Sequence, residues 1–148
     1  MAEFTYNPVQ LVQPNEAVVL NTSIGCTKNY VLHRNESGIV ILRGIVNNPC
    51  SSFARYQVTF NGNIAVPTGG TVQAIAVGLA IDGEPIPTSR AIVTPAAVEN
   101  YFNVTSTAFI TVPRGCCFNA SVENVAAGDT AAVPINVQNA NLVITRVA

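Results

Sequence analysis

The run Thr71–Thr88, TVQAIAVGLAIDGEPIPT, constrains this chain more than any other stretch. Asp82-Gly83 sits between two apolar runs. A two-residue hairpin turn of this kind needs positive φ at both central positions, which Asp and Gly tolerate. The run therefore reads as a long strand, a tight turn and a short return strand. In the long arm Ile75, Val77, Leu79 and Ile81 are large, while Ala74, Ala76, Gly78 and Ala80 are small. A strand with one wet face alternates apolar with polar residues. This arm does not, so its small face must be closely covered, either by another part of the chain or by another copy of it.

Turn signals and short β-prone runs recur along the rest of the sequence. Ala17–Asn21 reads as a short strand. Tyr30–Arg34 and Ile39–Val46 form a hairpin around residues 35–38. In Phe53–Asn61 the residues Tyr56, Val58 and Phe60 point one way and Arg55, Gln57 and Thr59 the other. Asn61-Gly62 is expected to turn. Ala91–Val93 is a brief strand, and Thr94–Ala97 fits one helical turn with Thr94 as its cap and Pro95 at its first position. Tyr101–Val112 is a long strand whose even positions are apolar apart from Ser106. Its odd positions, Tyr101, Asn103, Thr105, Thr107, Phe109 and Thr111, are uncharged and include two aromatics. Phe118, Ala120 and Val122 alternate in a further strand, and Ile135–Val137 and Asn141–Val147 close the chain. No long amphipathic helix is present. The pattern implies an all-β fold, a single jelly-roll sandwich of about ten antiparallel strands. Residues 16–148 make that domain, and residues 1–15, with Pro8 and Pro14, read as an extended N-terminal arm.

Only 10% of the 148 residues are charged and the net charge is -1, against about 25% charged in ordinary domains. Asn, Thr, Ser and Gln take the place of charge, so the surface is polar but neutral. With no basic run, nucleic acid and anionic membrane surfaces are poor partners. No apolar run approaches the roughly 18 residues of a spanning helix. MAEFTYNPVQ lacks a basic region followed by an apolar core, so no signal peptide is visible and synthesis in a cytoplasm is expected.

Catalytic chemistry finds little support. His33 is the single histidine, which leaves no set of partners for a Ser-His-Asp arrangement. Asp82 is explained by its turn. No phosphate loop, cofactor motif or metal-ligand spacing is spelled out, so a non-enzyme without cofactor or metal is expected. Cys116 and Cys117 are adjacent, and neighbours on a strand point to opposite faces. Parity assigns Cys116 to the core and Cys117 to the outside. Cys26 and Cys50 flank the 30–46 hairpin and fall nearly opposite each other. Two readings stand: four buried free thiols, the usual cytosolic state, or a Cys26–Cys50 bond formed later. The Asn-X-Ser/Thr triplets at Asn21, Asn35, Asn103 and Asn119 read as chance in an Asn- and Thr-rich chain.

Three phrases carry a likeness to known proteins: GNIAVPTGGTVQAIAVGLAIDGEPIP, VTPAAVENYFNVTSTAFITVPRGCC and the ending INVQNANLVITRVA. They resemble a group of small phage and prophage proteins of gut Firmicutes. Those are similar to the trimeric jelly rolls of the tumour necrosis factor and complement-type globular domains, and related domains end collagen-like bacterial surface proteins. The resemblance implies a homotrimer. Without a Gly-X-Y stretch it directs the reading to a virion protein, a decoration trimer or head-fibre tip on the outside of a phage head. The implied partner is the major capsid protein or another virion protein, with a minor glycan contribution. The alternative is a receptor- or glycan-binding adhesin tip. Burial between subunits is expected at Tyr101, Thr105 and Phe109 and on the small face at Ala74, Ala76 and Gly78. Phe4, Tyr6 and Pro8 of the arm are expected to attach to the capsid or a neighbouring subunit, unless the arm is a frayed terminus.

Overall fold

A computed structural model describes residues 1–24, 30–34 and 36–148. It is an all-β sandwich of two antiparallel sheets, as the turn spacing and alternation require. The longer sheet holds β1 (Ala2–Tyr6), β2 (Gln10–Val12), β3 (Thr22–Ile24), β6 (Phe53–Ala65), β10 (Phe102–Pro113) and β12 (Ile135–Arg146). Its order is β10-β6-β12-β1-β3, with β2 also on β12. The other sheet holds β4 (Val31–His33), β5 (Val40–Arg43), β7 (Ile75–Ile81), β8 (Glu84–Pro85), β9 (Ala91–Val93) and β11 (Cys117–Val125). Its order is β4-β5-β11-β7-β8, with β9 also on β7. The core lies between them. Phe4, Tyr56, Phe60, Leu142 and Ile144 from the longer sheet meet Leu42, Val77, Leu79 and Val122 from the other.

The Asp82-Gly83 turn is present, with φ of 51° and 85° at its two residues. The Asp82 side chain accepts a hydrogen bond from the Asn119 N–H at 2.9 Å, which ties the turn to β11. The odd residues of β7 enter the core. The question of its small face is answered within the chain. Ala76 packs with Val125, Ala127 and Ala74. A Cβ on Gly78 would lie 3.4 Å from Val125 Cγ2 and 3.5 Å from Arg90 Cγ and from Ser89 Oγ. Ala76 and Gly78 are therefore not subunit-contact residues, because their own chain already covers them, whereas Ala74 is half-buried at the margin of the same cluster. Ser89 also explains Ser106, the one polar residue on the inner side of β10. Ser106 Oγ donates to the Ser89 carbonyl, and Ser89 Oγ accepts the Leu79 N–H at 2.9 Å. One edge of the sandwich is thereby stitched shut.

The expected arm is a correction. β1 lies inside the longer sheet, paired with β12 on one side and β3 on the other. Ala2 and Phe4 point inward, and Phe4 is 0% exposed. Phe4 therefore cannot attach to a capsid. Tyr6 is half-buried against the same core. Pro8 remains exposed in the loop before β2. The prolines misdirect the reading because both fall outside the ladders: Pro8 between strands, Pro14 in a turn with Asn15 at φ 63°. A proline disrupts a strand only where the ladder needs its N–H.

Smaller departures have similar causes. Ala17–Asn21 makes isolated bridges at Ala17 and Leu20 rather than a strand. Asn61-Gly62 does not turn: β6 runs through it, with Gly62 opposite Val104. Glycine is needed there because a Cβ would sit 2.8 Å from Phe60 Cζ. Thr94–Ala97 is not helical, and a 3-10 turn forms at Pro87–Ser89 instead. The two closing runs are one strand with a register shift between Gln138 and Asn141, where Asn139 takes φ 54°.

Phe4→Ala should cost about 3–5 kcal/mol, the usual cost of emptying a core aromatic site, and removing residues 2–6 should abolish cooperative folding. Urea denaturation followed by circular dichroism checks both. A truncated chain with an unchanged midpoint would show that β1 is dispensable.

Candidate assembly face

The outer side of the longer sheet is a broad surface of one chemical character, polar and nearly uncharged. On β10 the outward residues Asn103, Thr105, Thr107, Phe109 and Thr111 are all exposed. They stand in register with Asn63, Asn61, Thr59, Gln57 and Arg55 of β6. The register continues across the sheet: Thr59 opposes Val143, and Val143 opposes Glu3. Asn61 likewise opposes Asn141, which opposes Thr5. Five strands spaced about 4.8 Å apart give a face roughly 19 Å wide.

Its polar groups bond to one another. Asn103 Nδ2 donates to Asn61 Oδ1 at 2.9 Å and to Asn63 Oδ1 at 3.2 Å. Thr105 Oγ1 donates to Asn61 Oδ1 at 3.2 Å, and the Thr59 and Thr107 hydroxyls are 3.2 Å apart. Among the described strand residues that point out of this face, Arg55 and Glu3 are the charged ones. Arg55 lies over the Phe109 ring, 4.8 Å from its centroid. Phe109 is itself 53% exposed. A surface of mutually bonded amides and hydroxyls costs less to dehydrate than one of hydrated charges.

The residues expected at subunit contacts thus separate. Thr105 and Phe109 lie on this face and are exposed. Tyr101 does not join them freely. It is half-buried, and its hydroxyl donates to Glu99 Oε2 at 3.3 Å. Glu99 is held by its own neighbours: the Thr68 N–H and hydroxyl both donate to Oε1 at 3.0 Å, and Asn136 Nδ2 does so at 3.2 Å. Burial is the leading cause that raises the Tyr101 pKa, with the Glu99 carboxylate adding to it. The set Tyr101–Glu99–Asn136–Thr68 fastens the start of β10 to its own sheet. The sequence reading missed Asn61, Asn63, Arg55 and Glu3. Alternation in β6 carried the signal for Arg55 and Asn61, but their partners on β10 and β12 appear only with the register.

Other surfaces are more local. A cleft of about 530 Å³ is lined by Leu11, Gln13, Pro67, Thr68, Gln73 and Pro134, among others. On the outer side of the second sheet a hollow of about 340 Å³ includes Asn15, Ile39, Asp82, Asn119, Ser121 and Glu123. His33 Nε2 donates to the Ser37 carbonyl at 3.0 Å, and its ring lies 4.8 Å from that of Phe4, a packing role. Cys50, Cys116 and Cys117 are free and exposed, which corrects the expectation of buried thiols. Cys116 belongs to the turn before β11 rather than to the core, because β11 begins at Cys117. Cys26 lies outside the described residues, and with it the expected Cys26–Cys50 pairing. Among the described residues no group of three or more His, Cys, Asp or Glu is placed to hold a metal ion.

No protein-family model matches this sequence, and no curated protein matches it. Solved structures do. The chain is similar to the Eiger TNF of S. frugiperda at 11% identity and a TM-score of 0.67, covering 100% of this chain and 92% of that one. It is also similar to the globular domain of zebrafish complement 1qA protein at 13% identity and a TM-score of 0.55, covering 96% and 94%. At such identities the likeness concerns the fold: a jelly-roll sandwich of the tumour necrosis factor and complement type.

The Glu123 carboxyl yields a pH prediction. Burial holds its pKa above the ordinary value; a Ser121 hydrogen bond opposes the shift and nearby Glu84 adds to it. The folded state thus favours the protonated acid, and that contribution is lost as pH rises through the raised value. Glu123→Gln should be more stable than the wild type at pH 7, and the gap should close as pH falls below the ordinary glutamate range. Thermal midpoints across that range check this; a gap that widens in acid would contradict it.

Proposed function

We propose that this chain is a structural and binding protein, not an enzyme, that works as a homotrimer assembled through the outer face of its longer sheet. The observation that carries the reading is that face: wide, uncharged over most of its area, its polar groups bonded to one another, with the exposed ring of Phe109 on it. Interface cores are depleted in charge and enriched in aromatics. The fold likeness to tumour necrosis factor and complement-type domains supports the same arrangement.

The role we infer for the trimer is on the outside of a phage head, as a decoration protein or head-fibre tip held by another virion protein. The likeness of residues 62–87, 93–117 and 135–148 to phage and prophage proteins supports it. With Phe4 in the core, the attaching surface moves to the loop between β1 and β2, where Pro8 is exposed and Val9 is 48% exposed, and to Leu11 of β2, 53% exposed.

A second reading, a glycan- or receptor-binding tip, draws on the 530 Å³ cleft. Its walls mix apolar residues with neutral hydrogen-bonding groups such as Gln13, Thr68 and Gln73. Such a mixture suits a small uncharged polar ligand.

Light scattering should give three times the chain mass of 15.5 kDa at micromolar concentration, and Phe109→Asp should lower it to that of a single folded chain. A stable wild-type monomer would sink the trimer reading. For the role, imaging of particles with and without the protein should show added density at capsid lattice sites. A few copies at a tail or fibre end, with glycan-array binding lost on Gln73→Ala, would favour the tip instead.

A further inference from the structure

The two charges on the assembly face stand at opposite sides of it. Arg55 is on β6, next to the edge strand β10. Its guanidinium lies over Phe109 at 4.8 Å, and Phe53, two residues earlier on the same side, is 39% exposed. Glu3 is on β1, next to the other edge, β3. It stands opposite Ile24, which is 49% exposed. Each corner therefore combines one charge with an exposed apolar side chain, and the two charges have opposite sign. Between them the register runs through neutral groups such as Gln57, Thr59, Val143 and Asn141.

We propose that these corners set how copies of the chain join: Arg55 of one copy pairs with Glu3 of the next, with Phe109 packed beside Ile24. The proposal rests on the trimer reading above and names the contact within it. A lone charge buried in an interface is costly, whereas a hydrogen-bonded pair offsets that cost. A self-matched contact centred on the Arg55 corner would set Arg55 against Arg55, and one centred on the Glu3 corner would set Glu3 against Glu3. Both arrangements place like charges together on a surface with little else to compensate them. Only the meeting of unlike corners neutralises both. A contact between two different patches is also what closes a ring rather than a self-matched pair. A guanidinium resting over an aromatic ring still has N–H donors to offer a carboxylate. The neutral ladder between the corners tolerates sliding by two residues along a strand; the charge pair does not.

The test uses the full chain in four forms: wild type, Arg55→Glu, Glu3→Arg and the double variant. Light scattering over a dilution series reads assembly, and thermal midpoints confirm that each form folds. Each single variant should weaken association by at least about tenfold, and the double variant should return it to within about threefold of the wild type. If a charge reversal impairs folding, Arg55→Met and Glu3→Gln serve in its place. Each should weaken association by itself, and the double neutral variant should lose less than the two effects combined. Single variants that assemble as the wild type does, or a folded double variant that stays dissociated, would overturn the pairing while leaving the trimer intact. A monomeric wild type would overturn the trimer and the pairing together.

Discussion

The pairing of β1 with β12 is the interaction on which the rest of the structure depends. It inserts five residues from the start of the chain beside the last strand, in the middle of the longer sheet. On one side of the ladder it delivers Ala2 and Phe4 to the core. On the other it delivers Glu3 and Thr5 to the outer face. Successive strand residues point to opposite sides, so one short strand serves both interior packing and surface chemistry. The contact joins the two ends of the sequence and closes the sandwich as a single cooperative unit.

The two faces of the longer sheet show how the same backbone carries opposite chemistry. Inward, Tyr56, Phe60, Ile110, Leu142 and Ile144 are almost fully removed from water, and their burial provides the main favourable term in folding. Outward, amides and hydroxyls bond among themselves across β6 and β10. This side adds little to the stability of one chain, since exposed hydrogen bonds compete with water. Its value lies in association, because internally satisfied groups lose less on drying than hydrated ions do.

The second sheet is arranged differently. Its strand β7 is covered on both sides by the same chain: the core takes Val77 and Leu79, and Val125, Ser89 and Arg90 close over Ala76 and Gly78. The small residues there allow close approach of the segment after the Asp82-Gly83 turn. An apolar strand without alternation is equally what two chains in contact would show. The placement of Val125, Ser89 and Arg90 over Ala76 and Gly78 decides between the two.

Local rules were enough for much of this molecule. Alternation in residues 53–61 and 101–112, the Asp-Gly turn and the shortage of charge are enough to specify an all-β sandwich with a neutral surface. Each of those signals acts over a few residues: strand parity, the φ tolerance of Asp and Gly, and the hydration of single side chains. What only the tertiary structure decided is which distant residues meet. That Phe4 fills a core site, that Asn61-Gly62 continues a strand, that Tyr101 is held by Glu99 and Asn136, and that Arg55 and Glu3 share one face all follow from strand order and register. Those depend on pairings between distant residues, such as Gly62 with Val104 and Phe4 with Leu142. The free energy of such contacts belongs to the assembled sandwich, and no window of the sequence contains it.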